Sequence, residues 1–225
     1  MPRSPRNTAT ATSTTEPLAL DAQSVASFAP RLLAWFDNHG RHDLPWQHPR
    51  SAYRVWLSEI MLQQTQVQTV IPYFQRFLDA LPTLPDLARA SSDEVMALWS
   101  GLGYYARARN LHAAARHCLS HHNGELPMDF EALVALPGIG RSTAGAILAQ
   151  ADGQKIAILD GNVKRVLSRW QAIDGWPNTS TVEAKFWQIS NALLPESRLA
   201  DYTQALMDLG ATLCTRSDPS CLLCP

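Results

Sequence analysis

The stretch Leu136-Pro137-Gly138-Ile139-Gly140-Arg141-Ser142-Thr143-Ala144-Gly145-Ala146 lies between two apolar segments and decides the fold. Its two close glycines, Gly138 and Gly140, can adopt backbone conformations that other residues resist, and they leave amide N–H groups bare where the next helix begins. An ordinary tight turn is the simpler interpretation. Leu136-Pro137 before the glycines and the small residues after them favour a helix-hairpin-helix instead. That motif, with Arg141 beside it, is expected to bind the DNA backbone without reading sequence.

The composition sets the limits around this motif. The chain has 225 residues, 46% hydrophobic and 17% charged, which is enough to bury a core in one or two domains. The net charge of -1 gives no general argument for nucleic-acid binding, so DNA contacts must come from a local patch. No apolar run approaches the roughly 18 residues of a membrane span, and the N-terminus has no apolar signal core. A monomer in the cytoplasm, without a membrane partner, is expected.

The start and stop signals along the chain are those of helices almost throughout. Residues 1–22, rich in Thr, Ala, Ser and Pro, are expected to be a disordered tail. A first helix should begin with Ser27 as N-cap and end at Gly40, and Ser91 should open another. The stretch 155–159 is the single strand candidate and is too short for a sheet. The predicted class is all-α, with further helices near 51–65, 105–121, 129–136, 142–151, 161–170, 181–194 and 199–213.

Two carboxylates are candidates for acid–base work. Helical spacing places Val55, Trp56 and Leu62 next to Glu59, and apolar neighbours disfavour the charge of a carboxyl group. Such a group can act as a general acid near neutral pH, and a solvated helix face is the weaker alternative. Asp160 follows a short apolar stretch at an expected helix start. Taken alone, it is more simply explained as a helix N-cap.

Three of the four cysteines crowd near the C-terminus. The pattern Cys214-x6-Cys221-x2-Cys224 has the spacing of thiolate ligands and favours a metal or iron-sulfur site over a disulfide framework. Cys118 stands alone. A redox pair formed by Cys221 and Cys224 is the rival interpretation, but no βαβ pattern surrounds it.

Three longer strings carry a family resemblance: residues 56–66 (WLSEIMLQQTQ), residues 101–110 (GLGYYARARN) and residues 159–163 (LDGNV). With the hairpin and the cysteines, they resemble the helix-hairpin-helix glycosylase superfamily that includes endonuclease III, and within it the adenine DNA glycosylases of the MutY type. The resemblance runs from about residue 28 to residue 225.

The resemblance implies two α-helical lobes, with the target base entering the cleft between them. A six-helix barrel carrying the hairpin would span residues 51–156, and residues 23–50 and 157–225 would form a second lobe. The second lobe would hold a 4Fe-4S cluster on Cys214, Cys221 and Cys224. The family's fourth cluster cysteine and its 8-oxoguanine-recognising domain would stand beyond Pro225, so a truncated chain is expected.

The implied activity is excision of adenine mispaired with 8-oxoguanine or guanine in double-stranded DNA. Glu59 would protonate the flipped-out adenine, and ionised Asp160 would stabilise the positive charge that develops on the sugar. Strand-cleaving relatives carry a lysine where this chain has Ser142, and that amine forms a Schiff base with the sugar. A serine cannot, so a monofunctional glycosylase is expected.

Other site residues follow from the same resemblance. Gln204 would face the base edge, although a helix-surface amide is nearly as good an interpretation. Tyr104 would be the wedge beside the opposing lesion, unless it or Tyr105 belongs to the core. His42 stands where relatives carry lysine or arginine, so one cationic DNA contact would depend on pH. The remaining supporting or DNA-contacting residues are Asn162, Trp46, Leu62, Gln63 and Gln64.

Two alternatives stay open. An endonuclease III-like glycosylase of another base would share the hairpin and the cysteines, and Ser142 and Gln204 argue against it. A non-catalytic helix-hairpin-helix module would share the same features, and the presence of both Glu59 and Asp160 counts against it.

Overall fold

The computed structural model describes residues 20–225, and this part of the chain is helical without a strand. The predicted all-α class is therefore confirmed. No helix among the described residues is long and apolar enough to cross a membrane. The helices are α1 (Ala22–His39), α2 (Ala52–Leu62), α3 (Val67–Ala80), α4 (Leu84–Arg89), α5 (Ser92–Trp99), α6 (Ala106–His121), α7 (Phe130–Val134), α8 (Arg141–Asp152), α9 (Gly161–Trp170), α10 (Ser180–Ala192) and α11 (Leu199–Asp208), followed by a π-helical turn (Leu209–Leu213) and a 3-10 turn (Cys221–Leu223).

The expected start of the first helix at Ser27 is wrong. Helix α1 begins at Ala22 because the carboxylate of Asp21 accepts a hydrogen bond of 2.8 Å from the backbone N–H of Ser24 and so caps the first turn. Ser27 lies inside the helix, where its hydroxyl donates to a backbone carbonyl. The predicted tail over residues 1–22 lies outside the described residues as far as residue 19. The predicted end of the first helix at Gly40 and the predicted helix start at Ser91 are confirmed.

Buried apolar side chains form two clusters. The first is built by α2 to α8 and contains the fully buried Trp56 and Trp99, while the second is built by α1 and α9 to α11 around residues such as Phe186. Each fully buried aromatic ring of this kind contributes roughly 1.5–3 kcal/mol to stability. Leu44 and Trp46 precede the predicted barrel range but pack in the first cluster. The lobe boundaries at residues 51–156 remain a prediction.

Helix α8 joins the two clusters, because it packs on α2 on one side and on α11 on the other. The segment 155–159, the strand candidate, runs beside it without regular secondary structure and without a partner strand. Side chains satisfy its backbone instead: Leu159 N–H donates to the Ser142 hydroxyl, and Ile158 C=O accepts from Ser190. A Cβ on Gly145 would approach this segment to 2.5 Å, so glycine permits the close approach.

Candidate active site

The predicted carboxylates line one large cleft of about 1150 Å³. Its walls come from the C-terminal half of α2 and the turn that follows it, from the first residues of α8 and α9, and from α11. A cleft of this size can take a nucleotide-sized group with room at its mouth. The predicted site residues along its wall are Trp46, Glu59, Leu62, Gln63, Gln64, Ser142, Asp160, Asn162 and Gln204.

Glu59 lies in the last two turns of α2 and keeps one edge open to the cleft, while its neighbours Val55 and Trp56 are in the core. Burial raises the pKa of the Glu59 carboxyl to about 7, and the charge of Asp160 adds to this effect. A hydrogen bond of 3.2 Å from the Gln150 amide opposes it. At this pKa the group can hold a proton at neutral pH and release it to a bound base.

Asp160 is both a cap and a cleft carboxylate. As N-cap of α9 it accepts a hydrogen bond of 2.8 Å from Val163 N–H, and its second oxygen accepts from the Asn162 side-chain amide at 3.3 Å. Burial raises the pKa of Asp160, whereas these hydrogen bonds and the positive charge of Arg165 favour its anion. The capping interpretation and the position in the cleft are therefore compatible.

Ser142 lies in the first turn of α8, and its hydroxyl accepts a hydrogen bond of 2.9 Å from Leu159 N–H, the residue before Asp160. The hairpin before it has Gly138 at φ +80°, a conformation that favours glycine, and a Cβ there would lie 2.9 Å from Asn110. Gly140 needs no such conformation, since its φ is -91° and it serves as the N-cap of α8 without a side chain. The Arg141 guanidinium stacks over the ring of Trp187 at 3.8 Å.

Gln204 is 2% exposed, so the helix-surface interpretation of this amide is wrong. Its Nε2 donates to Asp208 at 2.8 Å, and its Oε1 is buried without a hydrogen-bond partner. An unpaired buried acceptor at a cleft wall is costly until a ligand donor reaches it.

Tyr104 and Gln64 lie together at a smaller cavity of about 370 Å³. Both have left-handed backbones, with φ of 49° and 58° respectively. Tyr104 is 59% exposed and Tyr105 is also exposed, so neither belongs to the core. His42 does not line either cavity; its Nε2 hydrogen-bonds the carbonyl of Phe36 at 2.9 Å, and its ring packs on the phenyl ring of that residue.

The three C-terminal cysteines share a third cavity of about 240 Å³, whose wall includes α1 residues. Burial and the charges of Cys214 and Cys221 raise the pKa of the Cys224 thiol. No His, Cys, Asp or Glu group within residues 20–225 is arranged to hold a single metal ion. Three thiols are the type of donor that an iron-sulfur cluster takes from a protein.

A family model described as the HhH-GPD superfamily base excision DNA repair protein matches residues 57–192. The chain belongs to this superfamily. The match includes the part of α2 that carries Glu59, the hairpin, and α9 with its N-cap Asp160.

The adenine DNA glycosylases of Buchnera aphidicola from Schizaphis graminum and of Homo sapiens are among the similar curated proteins. The first is 42% identical over 202 residues, covering 90% of this chain and 58% of the relative. The human protein is 46% identical over 214 residues, covering 91% of this chain and 39% of the relative. The chain thus spans roughly half the length of these relatives or less.

Solved structures agree in fold. A thermostable thymine-DNA glycosylase superposes with a TM-score of 0.81 at 27% identity, covering 90% of this chain and 93% of that one. A non-covalent endonuclease III–DNA complex superposes with a TM-score of 0.77 at 22% identity, covering 92% and 94%.

Sequence reasoning missed three polar residues that hold the site of this HhH-GPD protein together. Asp208 is fully buried and accepts hydrogen bonds from the Arg41 guanidinium and backbone as well as from Gln204. Gln150 supports Glu59 from the core side. Nothing local marks the roles of Asp208 and Gln150 in the sequence, because Arg41 is 167 positions from Asp208 and Glu59 is 91 positions from Gln150.

The third missed residue, Arg107, is 8% exposed and links two loops. One of its nitrogens donates to the carbonyls of Met61 and Gln63 at 2.6 Å each, and the other reaches the carbonyls of Leu102 and Gly103. The carbonyls left free at the end of α2 are satisfied in this way. Arg107 thereby holds the loops that present Gln64 and Tyr104.

Proposed function

We propose that the protein is a monofunctional DNA glycosylase that hydrolyses the N-glycosidic bond of adenine mispaired with 8-oxoguanine or guanine. The observation that carries this proposal is the pair of carboxyl groups, Glu59 and Asp160, at one cleft in a chain whose curated relatives are named adenine DNA glycosylases. Endonuclease III neighbours bound to DNA support double-stranded DNA as the partner.

The two carboxyl groups divide the chemistry between them. Glu59 has a pKa of about 7 and, within residues 20–225, accepts a hydrogen bond only from the Gln150 amide, so the proton of the pair belongs on Glu59. The hydrogen bonds from Val163 and Asn162 and the positive charge of Arg165 favour the anion of Asp160. The negative charge of the pair therefore belongs on Asp160. Glu59 then donates its proton to a ring nitrogen of adenine, which leaves as a neutral base. The Asp160 carboxylate faces the sugar and stabilises the positive charge that develops at its anomeric carbon, directly or through a covalent sugar intermediate.

The remaining steps concern recognition and hydrolysis. Adenine must leave the duplex stack to reach Glu59, which costs a few kcal/mol that contacts to the backbone offset. The unpaired Oε1 of Gln204 supports a role in accepting a hydrogen bond from the adenine amino group. The hydroxyl of Ser142 is occupied by Leu159 N–H and is no amine, so water completes the reaction and the strand stays intact.

Cys214, Cys221 and Cys224 would hold a 4Fe-4S cluster at the shared cavity. The cluster would link Cys214, at the end of the π-helical turn, to the C-terminal loop that carries Cys221 and Cys224, in a cavity lined by residues of α1 and α9. The side chains around it already organise that loop: Arg169 donates to the Cys214 sulfur at 3.3 Å and to the carbonyl of Thr215 at 2.7 Å.

A panel of duplexes tests the proposed function. Single-turnover release should be fastest with adenine opposite 8-oxoguanine, slower opposite guanine and absent opposite thymine, and the products should break only after alkali. The Glu59→Gln/Asp160→Asn double variant, which keeps both side-chain shapes, is the control for contaminating activity. Release of thymine or an oxidised pyrimidine in preference to adenine would select the endonuclease III-like alternative, and tight binding without release of any base would select the non-catalytic module.

A further inference from the structure

Gln150 is a polar side chain in an apolar part of α8. It is 4% exposed, and the four residues before it, Ala146 to Ala149, are all buried. A buried amide of this kind costs free energy unless it has a partner. Its Nε2 donates to Oε1 of Glu59 at 3.2 Å, across the contact between α8 and α2. Gln150 lies behind the cleft wall, whereas Glu59 is part of that wall.

The hydrogen bond distinguishes the two oxygens of the Glu59 carboxyl. Oε1 is occupied as an acceptor, so the transferable proton of the neutral acid belongs on Oε2. No other group among the described residues donates a hydrogen bond to this carboxyl. An N–H donor binds a carboxylate about twice as strongly as a neutral acceptor. The bond from Gln150 therefore strengthens as Glu59 gives up its proton.

We propose that Gln150 is a positioning residue that orients the Glu59 carboxyl and stabilises the anion formed when Glu59 protonates the leaving base. The inference rests on the proposed role of Glu59 as the acid. The Gln150 amide lowers the pKa of Glu59, whereas burial and the Asp160 charge raise it. A lower pKa is the effect expected of a group that stabilises the anion.

Other charged groups face Glu59 from the surrounding elements. Asp160 at the start of α9 is the carboxylate that opposes ionisation of Glu59. Arg41, Arg165 and Arg216 line the same cleft. The Arg41 and Arg165 guanidinium groups donate to Asp208 and Asn162, and none of the three arginines hydrogen-bonds to Glu59. On α6, the Arg107 guanidinium is bound to carbonyls at the end of α2. The Gln150 amide is thus the group that acts on Glu59 through a direct hydrogen bond.

The test compares Gln150→Met, which keeps length and volume but removes the donor, with the wild type. Single-turnover adenine release is measured from about pH 5 to about pH 9. The loss of one hydrogen bond to a charged group predicts a plateau rate about tenfold lower and an alkaline limb shifted upward by about one pH unit. Gln154→Met, the same change near the end of α8 and away from Glu59, should move neither quantity.

A lower rate with an unmoved limb would overturn the inference, since a purely structural defect lowers the rate at every pH. A carbon-13 NMR titration of the Glu59 carboxyl, assigned with Glu59→Gln, measures the same shift without catalysis. An upward-shifted titration in Gln150→Met supports the inference even if wild type releases no adenine, an outcome that would reject the proposed function alone. An unchanged titration would reject the role of Gln150 itself.

Discussion

Glu59→Gln should stabilise the protein while removing its activity, and the gain should depend on pH. The carboxyl has an ordinary pKa of 4.5 in the unfolded chain and about 7 in the folded one. Below about pH 4.5 both states bind the proton, so Glu59 contributes nothing. Between the two values the unfolded chain ionises while the folded protein keeps the proton, so the free energy of unfolding falls as the pH rises. Above about pH 7 the loss is complete.

The size of the effect follows from the same two values. Each step of one in pKa corresponds to about 1.4 kcal/mol, so the full difference corresponds to about 3 kcal/mol. One edge of the carboxyl faces the cleft, and solvent there reduces the effect, so we expect a gain of about 2–3 kcal/mol at pH 8. Glutamine retains the shape and can still pair with the Gln150 amide, so no cavity is created.

Urea unfolding at pH 8 and pH 5, followed by tryptophan fluorescence, measures the gain. The variant should be stabilised clearly at pH 8 and only marginally at pH 5. Glu125→Gln, at an exposed loop position, is the matched control and should change neither value beyond about 0.5 kcal/mol. Equal gains at both pH values, or none at pH 8, would refute a buried acid with a raised pKa.

Four further outcomes are expected. Asp160→Asn should lower adenine release by about 10²–10³-fold with little change in melting temperature, because asparagine caps a helix as well as aspartate. A near wild-type rate would show that Asp160 acts only as the cap of α9. Ser142→Lys should gain strand cleavage and borohydride trapping on DNA, whereas strong trapping by the unmodified protein would contradict the monofunctional assignment. Cys224→Ser should lower iron content and brown absorbance relative to Cys118→Ser, and equal iron in both would exclude Cys224 as a ligand. Arg107→Met should weaken duplex binding and raise proteolysis of the two loops it links, and unchanged binding would remove it from loop positioning.

Local start signals account for only part of the helix prediction, because α6, α8, α10 and α11 were predicted without a side-chain cap, whereas α4 was not predicted although it has a capping box. Helix α9 was predicted at residues 161–170 and observed there, because Asp160 provides a cap that acts within three residues. Helix α3 was not predicted; its N-cap Gln66 makes no side-chain hydrogen bond, and Pro72 lies inside it. Its four buried residues show that packing, rather than a local signal, holds it in place.

The sequence by itself determined what is local: the helical class, the hairpin with its left-handed Gly138, the capping role of Asp160 and the clustering of three thiols. Capping and turn chemistry act over a few residues, so residue types and spacing are enough to predict them.

Tertiary structure alone decided which groups meet. Gln150 reaches Glu59 across 91 positions and Arg41 reaches Asp208 across 167, and no spacing rule connects such partners. Burial and charge at the assembled cleft also set the pKa of Glu59, because desolvation and Coulomb interactions depend on distance in space rather than along the chain.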